Sequence, residues 1–185
     1  MFCLVGAIRS RDTTVKVWST EGAGSWPCLG TIAVHTDWVK ALVVWEGRVI
    51  SGSDDETIVV SDIVTRQHEA TLNAHTGSVR VLAPSGRTLL STGTDRTIGV
   101  WALGTWSHLK MVRVSDHVLD AGCCSCLLVR GSMLLCGGDY NDDDEDGDFA
   151  HKGFVVVLDA DTRICQHTLL LFYPIESLLS VRGEV

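Results

Sequence analysis

Three stretches of the sequence repeat one pattern, and this repeat constrains the fold more than any other feature. The stretches SRDTTVKVWS, SDDETIVVSD and GTDRTIGVWA begin at Ser10, Ser53 and Gly93 and align without gaps through their second halves. The second and third stretches start 40 residues apart. A period of roughly 20 to 50 residues is typical of folds built from one repeated supersecondary unit. The 185 residues therefore accommodate a few such units.

The repeat also fixes the position of a histidine. His35 and His75 each precede an aspartate, Asp55 or Asp95, by 20 residues. A fourth, more degenerate unit follows, with His117 at the histidine position and GFVVVLDAD in place of the stretch that contains VKVWS in the first unit. The repeat thus covers nearly the whole chain.

Within each unit the residues favour β-strands. DWVKALVVW, GRVISGS, TIVVSDI and HEATLN are short, rich in Val, Ile, Thr and Trp, and separated by turn-forming residues. No segment has the apolar spacing of a persuasive amphipathic helix. Four strands in a unit of about 40 residues are typical of one blade of a β-propeller.

The frame from His35 through SGSDDETIVVSD, and its copy from His75 through STGTDRTIGVW, resembles the blades of WD-repeat β-propellers. The resemblance implies that a histidine, a serine, an aspartate and a tryptophan hydrogen-bond to one another and lock each blade. Ser61 and Leu158 stand where the tryptophan belongs, so weaker locking is expected in those two blades. Carried over by position, the network residues are Asp12, Trp18, His35, Ser51, Asp55, His75, Ser91, Asp95 and Trp101.

The predicted fold is all-β, with four-stranded antiparallel blades in an incomplete arc of a larger ring. A small ring closed by the C-terminal strand, and a ring completed by a second copy or by a partner, are the alternatives. The predicted units are an incomplete blade at 1–34, blades at 35–74 and 75–116, a degenerate blade at 117–174 with an acidic insertion at 139–152, and the first strand of a further blade at 175–185.

An acidic run dominates the charge of the chain. Seven acidic residues between Asp139 and Asp148 supply −7 of the formal net charge of −8. Asp142, Asp144 and Asp146 are calcium-ligand candidates because they fit the first three ligand positions of an EF-hand loop, but the closing glutamate position is Gly153. We expect a solvated loop between the second and third strands of the fourth blade. Calcium binding, and docking of a partner with a basic surface, remain alternatives.

Partner-binding candidates follow from the resemblance. In WD-repeat proteins, partners contact positions three and five residues after the histidine and the position just before the turn aspartate. Trp38 is the candidate with the character of an interaction hot spot, whereas Trp45 is expected in the core. The candidate positions are Trp38, Lys40, Asp54, Ser78, Arg80 and Thr94.

The seven cysteines show no spacing typical of a disulfide framework. GCCSCLL, which places Cys123, Cys124 and Cys126 together, falls in the expected first strand of the fourth blade. Core packing is favoured there over a zinc site, which prefers two separated pairs of ligands. With no sign of a secretory leader at the start, these features predict an intracellular protein, cytoplasmic or nuclear.

Several functions lack support in the sequence. No basic face indicates a nucleic acid partner, and no apolar run is long enough for a membrane span. We find no motif for catalysis or for a cofactor. The sequence therefore predicts a non-catalytic scaffold for protein–protein interaction, which could self-associate to complete the ring. The alternatives are a calcium-responsive module and an adaptor or substrate-recognition part of a larger complex such as a ubiquitin ligase.

Overall fold

The computed structural model describes residues 3–6, 12–19, 26–114, 121–130, 133–141, 151–159 and 165–171. Every regular element in these ranges is a β-strand, and none of the described segments forms a helix with the length and apolar character that a membrane crossing requires. The strands are β1 (Cys3–Gly6), β2 (Thr14–Ser19), β3 (Cys28–Ala33), β4 (Val39–Trp45), β5 (Arg48–Ser53), β6 (Ile58–Asp62), β7 (His68–Leu72), β8 (Val79–Ser85), β9 (Thr88–Gly93), β10 (Thr97–Ala102), β11 (His108–Arg113), β12 (Ala121–Arg130), β13 (Met133–Asn141), β14 (His151–Asp159) and β15 (Cys165–Leu171).

The strands form four antiparallel sheets in which neighbours in the chain are neighbours in the sheet. We call the sheets blade one (β1–β3), blade two (β4–β7), blade three (β8–β11) and blade four (β12–β15). The predicted all-β fold with four-stranded blades in an open arrangement is confirmed. The exact limits of the units remain predictions, and the strand expected at 175–185 lies outside the described residues.

Along a strand, successive side chains point to opposite faces of the blade. In blade three, one face packs against blade two and the other face packs against blade four. The layers between successive blades therefore use different residues of the same strand: Trp101 and Leu89 pack toward blade two, whereas Ile98 and Leu90 pack toward blade four. A fully buried apolar side chain of this size stabilises a fold by about 1.5 to 3 kcal/mol relative to an exposed one. The buried residues of the layer between blades one and two are Val15, Val17, Ile32, Val39, Val49 and Ile63.

The turn within blade two shows how the local sequence sets strand pairing. Glu46 and Gly47 connect β4 to β5, and both have positive φ, 43° and 75°. Two consecutive left-handed residues form the type I′ turn, whose twist matches that of the flanking strands. Glycine adopts this conformation without a steric cost. The turn places Trp45 opposite Arg48 and so fixes the register of the whole hairpin.

The first and last residues of the predicted acidic insertion continue the strands of blade four. Asn141 pairs with His151 and Tyr140 with Lys152, so β13 and β14 extend beyond the corresponding strands of the other blades. Residues 139–141 and 151–152, which the sequence analysis assigned to the insertion, are therefore strand residues. The reason is that a long hairpin can continue its ladder of backbone hydrogen bonds beyond the blade core. Residues 142–150 lie outside the described residues.

Cys124, Cys126 and Cys136 of blade four are buried, and two of them are also bonded. Cys124 and Cys136 are fully buried and form a disulfide with a Cα–Cα distance of 6.3 Å. The cysteine spacing indicates no disulfide framework, and this pair corrects that prediction. Spacing alone could not reveal the pair because the two cysteines meet across β12 and β13, where the register shifts on both sides of Cys124.

Candidate functional site

The turn that precedes β2 in blade one, β6 in blade two and β10 in blade three has the same construction in all three blades. Its sequence is Asp-x-Thr, and the middle residue is left-handed: Thr13, Glu56 and Arg96 have φ values of 60°, 70° and 63°. In each turn the aspartate accepts a hydrogen bond from the backbone N–H of the threonine two residues later. Such Asx turns stabilise a tight connection. We call the end of the blades that carries these turns the Asp-turn edge.

In blade three the four predicted network residues form one chain of hydrogen bonds. The indole N–H of Trp101 donates to Ser91 Oγ at 2.8 Å, and the hydroxyl of Ser91 donates to His75 Nε2 at 2.7 Å. His75 Nδ1–H donates to the carboxylate of Asp95 at 2.8 Å. Trp101, His75 and Ser91 are buried, so every donor and acceptor in this chain needs a partner. The network therefore joins β9, β10, the segment before β8 and the Asp turn in one register.

The charge of Asp95 depends on this network. Burial acts to raise the pKa of the Asp95 carboxyl, but the hydrogen bond from His75, the backbone N–H of Thr76 and the Thr97 hydroxyl outweigh it. They hold the pKa at about 2, below the usual 3.8. Asp95 is therefore ionised and bonded to both the histidine and the turn. The pKa of Asp55 is lowered in the same way, against the effect of burial, by Thr57, Thr36 and His35.

The network of blade two is shorter. His35 Nδ1–H donates to Asp55 at 2.9 Å, and the Ser51 hydroxyl donates to His35 Nε2 at 2.8 Å. The register of β5 and β6 places Ser61 at the position that Trp101 occupies in blade three. The Ser61 hydroxyl is buried and has no hydrogen-bond partner among the described residues. The sequence predicted the loss of the indole, and the structure adds an unsatisfied hydroxyl in its place.

We expect Ser61→Ala to leave the melting temperature unchanged or to raise it, because removing a buried hydroxyl without a partner removes a desolvation cost. The gain in free energy of unfolding should not exceed about 1 kcal/mol. Chemical denaturation of the variant beside wild type measures it. Ser91→Ala is the control, because it removes an equivalent hydroxyl that has partners and should destabilise the chain. A clear loss of stability in Ser61→Ala would show that the hydroxyl has a partner after all.

Blades one and four keep less of the network. Asp12 lies in the Asp turn, accepts hydrogen bonds from Thr14 and approaches the ammonium group of Lys16 at 3.7 Å. Trp18 is half-buried in β2. In blade four, Leu158 occupies the tryptophan position and is fully buried. His117, the expected histidine of blade four, lies outside the described residues.

The six partner-binding candidates come together on the Asp-turn edge of blades two and three. Lys40 lies at 3.1 Å from the Asp54 carboxylate, and its ammonium group is 4.3 Å from the centre of the Trp38 ring. The Ser78 hydroxyl of blade three also donates to Asp54. The backbone N–H of Thr94 donates to the Ser78 carbonyl at 2.9 Å.

Asp54 is the residue that joins these candidates across two blades. Burial acts to raise the pKa of Asp54, but hydrogen bonds from Ser78 and Lys40, together with the charges of Lys40 and Arg80, lower it. The carboxylate is therefore held ionised among two cations and a hydroxyl. Trp38 remains 36% exposed beside this arrangement. We call the surface formed by Trp38, Lys40, Asp54, Ser78, Arg80 and Thr94 the Asp54 surface.

Some residues of the networks were not singled out from the sequence. Thr57 and Thr97 donate their hydroxyls to Asp55 and Asp95 at 2.6 and 2.8 Å. A threonine two residues after each turn aspartate was visible in all three repeats. Trp106 lies in a turn and packs edge-on against Trp45, with the ring centres 5.6 Å apart. These contacts extend the layer between blades two and three.

The calcium-ligand candidates Asp142, Asp144 and Asp146 lie outside the described residues. Within the ranges that the structure describes, no group of three or more His, Cys, Asp or Glu residues is arranged to hold a metal ion. The histidines that the sequence placed in the repeat, His35 and His75, are engaged with serine and aspartate.

Comparison with known proteins agrees with the repeat. A family model described as "WD domain, G-beta repeat" (WD40) matches residues 66–102. The sterol regulatory element-binding protein cleavage-activating protein of Xenopus laevis is 30% identical over 131 residues, which cover 70% of this chain and 9% of that protein. The DDB1- and CUL4-associated factor 13 of Dictyostelium discoideum is 33% identical over 82 residues, which cover 42% of this chain and 18% of that protein. The match spans less than a fifth of either relative.

Solved structures share the arrangement of blades. The computationally designed Ika8 protein superposes with a TM-score of 0.69 at 22% identity, over 93% of this chain and 48% of that chain. The WD40 repeats of RRP9 superpose with a TM-score of 0.66 at 20% identity, over 86% of this chain and 43% of that chain. At such low identity the likeness concerns the fold alone.

Proposed function

Because the chain carries a WD40 repeat and its sheets are the blades of a WD-repeat propeller, we propose that it is a non-catalytic scaffold that binds protein partners at the Asp54 surface. WD40 repeats generally mediate protein–protein interaction, and their propellers are generally non-catalytic. Of the relatives above, DDB1- and CUL4-associated factor 13 is by its name an associated factor of other proteins. An adaptor role in a larger complex is the finer form of this proposal.

The observation that carries the proposal is the set of contacts within the Asp54 surface. Asp54 binds Lys40 of its own blade and Ser78 of the next, and Lys40 lies against the Trp38 ring. These contacts hold an exposed aromatic ring and neighbouring charges in place before any partner arrives. Binding then has a small cost in side-chain ordering. Tryptophan and arginine, both present here, are enriched among the residues that contribute most to protein–protein affinity.

The effect of Trp38→Ala on partner capture tests the proposal. The full chain is used as bait in a cell lysate, and captured proteins are quantified by mass spectrometry. Loss of a hot-spot tryptophan costs about 2 kcal/mol or more, so we expect the captured amount of specific partners to fall by about tenfold or more. Circular dichroism should show the same melting temperature as wild type, because Trp38 is a surface residue.

Trp26→Ala is the matched control. Trp26 is 61% exposed and precedes β3, at the end of blade one opposite its Asp turn. The substitution removes the same side chain at a position far along the strand direction from the Asp54 surface. Equal losses of partners in the two variants would exclude a specific role for Trp38, and so would unchanged capture by Trp38→Ala.

We also propose that a partner with a basic surface contacts the acidic run at 139–148. Capture by a variant in which Asp142, Asp143, Asp144 and Asp146 are asparagine tests this contact.

We further propose an intracellular location, cytoplasmic or nuclear, and imaging of the tagged chain tests it. The Cys124–Cys136 disulfide bears on the location, because disulfides are rare in reducing compartments.

A further inference from the structure

In blade four, a cysteine occupies a position that belongs to the network in blades two and three. Ser51 pairs with Leu42 and Val59, and Ser91 pairs with Leu82 and Gly99. By the same register Cys136, which pairs with Leu127 and Val156, occupies the serine position. Together with Leu158 in place of the tryptophan, this substitution removes two of the four network groups from blade four.

The second cysteine lies on the adjacent strand. Cys124 pairs with Gly138, just as Val39 pairs with Ser53 and Val79 pairs with Gly93. In blades two and three this first-strand position is a buried valine. In blade four it carries the sulfur that is bonded to Cys136. A covalent link between β12 and β13 thus lies where the other blades have a valine and a hydrogen-bonded serine.

The link also bears on the contact between blades. The backbone carbonyl of Cys124 accepts a hydrogen bond at 3.0 Å from the hydroxyl of Thr92, a fully buried residue of blade three. Both sulfurs belong to the apolar layer that joins blades three and four. Fixing Cys124 against β13 therefore also fixes the strand that blade three contacts.

We propose that Cys124 and Cys136 form a thiol–disulfide redox site that locks blade four in place of the hydrogen-bonded network. The oxidant class is a low-molecular-weight disulfide of the glutathione type. Thiol–disulfide exchange breaks the two S–H bonds and the S–S bond of the small molecule. It forms the Cys124–Cys136 bond and releases two small thiols, which receive the two electrons and the two protons. In a reducing compartment the pair is a dithiol, and the covalent link between β12 and β13 is absent.

Burial determines how the site exchanges. Both cysteines are fully buried, so a small disulfide or thiol reaches the sulfur only when β12 and β13 separate or before blade four has folded. Exchange is therefore slow in the folded chain and fast in the unfolded chain. Cys126, two residues along, is not part of the bond, and its thiol donates to the Gly137 carbonyl at 3.3 Å.

Peptide mapping gives the first test. The full chain is refolded with oxidised glutathione, denatured, alkylated without reduction and digested with trypsin. Cys136 lies in the peptide 131–152, whereas Cys124 lies in the peptide 114–130 with Cys123 and Cys126. We expect one joined species of these two peptides, which Cys124→Val abolishes and Cys126→Ala retains. Full alkylation of Cys136 in the wild type would overturn the proposal, and so would a joined species that persists in Cys124→Val.

Thermal melting gives the second test. We expect the oxidised chain to melt on the order of 5 °C above the chain in a phosphine reductant. Cys124→Val should lose this difference and still fold, because valine fills the same position in blades two and three. The second variant is Cys136→Ser, which introduces the residue found at the equivalent positions Ser51 and Ser91. This variant should also lose the difference in melting temperature between the oxidised and the reduced chain. Hydrogen exchange of the β12 and β13 amides should slow on oxidation. Equal melting temperatures of the oxidised and reduced wild type would overturn the proposed lock.

Discussion

Replacing Asp95 by alanine is expected to lower the free energy of unfolding by about 1 to 3 kcal/mol, because His75 loses its acceptor while remaining buried. The carboxylate also accepts hydrogen bonds from the backbone of Thr76 and from Thr97, so the Asp turn loses its closure at the same time. Urea denaturation at neutral pH measures the change. An unchanged midpoint would contradict the assignment of Asp95 to the network.

Two further variants separate the network from ordinary surface charge. Glu69→Ala removes a carboxylate that pairs with Arg48 at 2.7 Å on the surface, and it should cost less than about 1 kcal/mol. Asp55→Ala removes the equivalent residue of blade two, where no indole completes the network. We expect the loss of unfolding free energy in Asp55→Ala to lie between the losses in Glu69→Ala and Asp95→Ala. A cost for Asp55→Ala above that for Asp95→Ala would show that the indole adds nothing to the network.

The response to acid gives an independent check on Asp95. The pKa of Asp95 is about 2 in the folded chain and 3.8 in the reference state, so folding favours its ionised form. The resulting stabilisation is fully present above pH 3.8 and is lost as the pH falls through about 2. A shift of this size corresponds to about 2 kcal/mol. Denaturation at several pH values should show a weaker acid dependence in Asp95→Ala than in wild type.

Gly99→Ala is expected to destabilise the chain by about 1 to 3 kcal/mol through overpacking. A Cβ atom at this position would lie 2.5 Å from Ser91 Oγ and 2.9 Å from Trp101 Nε1. Both atoms belong to the buried network, so neither can move without breaking a hydrogen bond. The melting temperature of the variant measures the cost.

Two comparisons make the Gly99 prediction specific. Gly30→Ala would bring a Cβ atom to 2.5 Å from Arg66 Cδ, which belongs to an exposed side chain that can turn away. We expect a small effect there. In Gly99→Ala with Ser91→Ala, the clashing hydroxyl is already absent, so the double variant should lose less than the sum of the two single losses. Additive losses would mean that the added methyl group does not meet Ser91.

Much of the blade architecture could be predicted because its signals are local or repeated. The Asp-x-Thr turn needs only three residues, and the equal spacing from His35 to Asp55 and from His75 to Asp95 reflects one strand register used twice. The missing indole in blade two was also visible, since Ser61 stands at a fixed offset from Asp55. The network contacts then follow from the antiparallel pairing of the strands.

The remaining features depend on relations between strands or blades that no local pattern encodes. The bond from Cys124 to Cys136 requires the shifted register of β12, and the extension of β13 to Asn141 requires its pairing with His151. The contact of Ser78 with Asp54 depends on how blade three docks against blade two. The resemblance predicts which residues are candidates for the Asp54 surface, but the contacts between them depend on how the blades stack.

The hydrogen bond from Ser78 to Asp54 makes the Asp54 surface depend on the docking of blades two and three. Each half of the Asp54 surface belongs to a different blade, so the surface exists only while the two blades are docked. In a repeat protein, neighbouring units can separate before either one unfolds. Under the proposed function, affinity for a partner at the Asp54 surface reports the docking equilibrium of the two blades, and this affinity disappears while far-ultraviolet circular dichroism still shows intact strands. A partner that binds across both halves, as proposed, then acts as a clamp that raises the cooperativity of unfolding across that boundary.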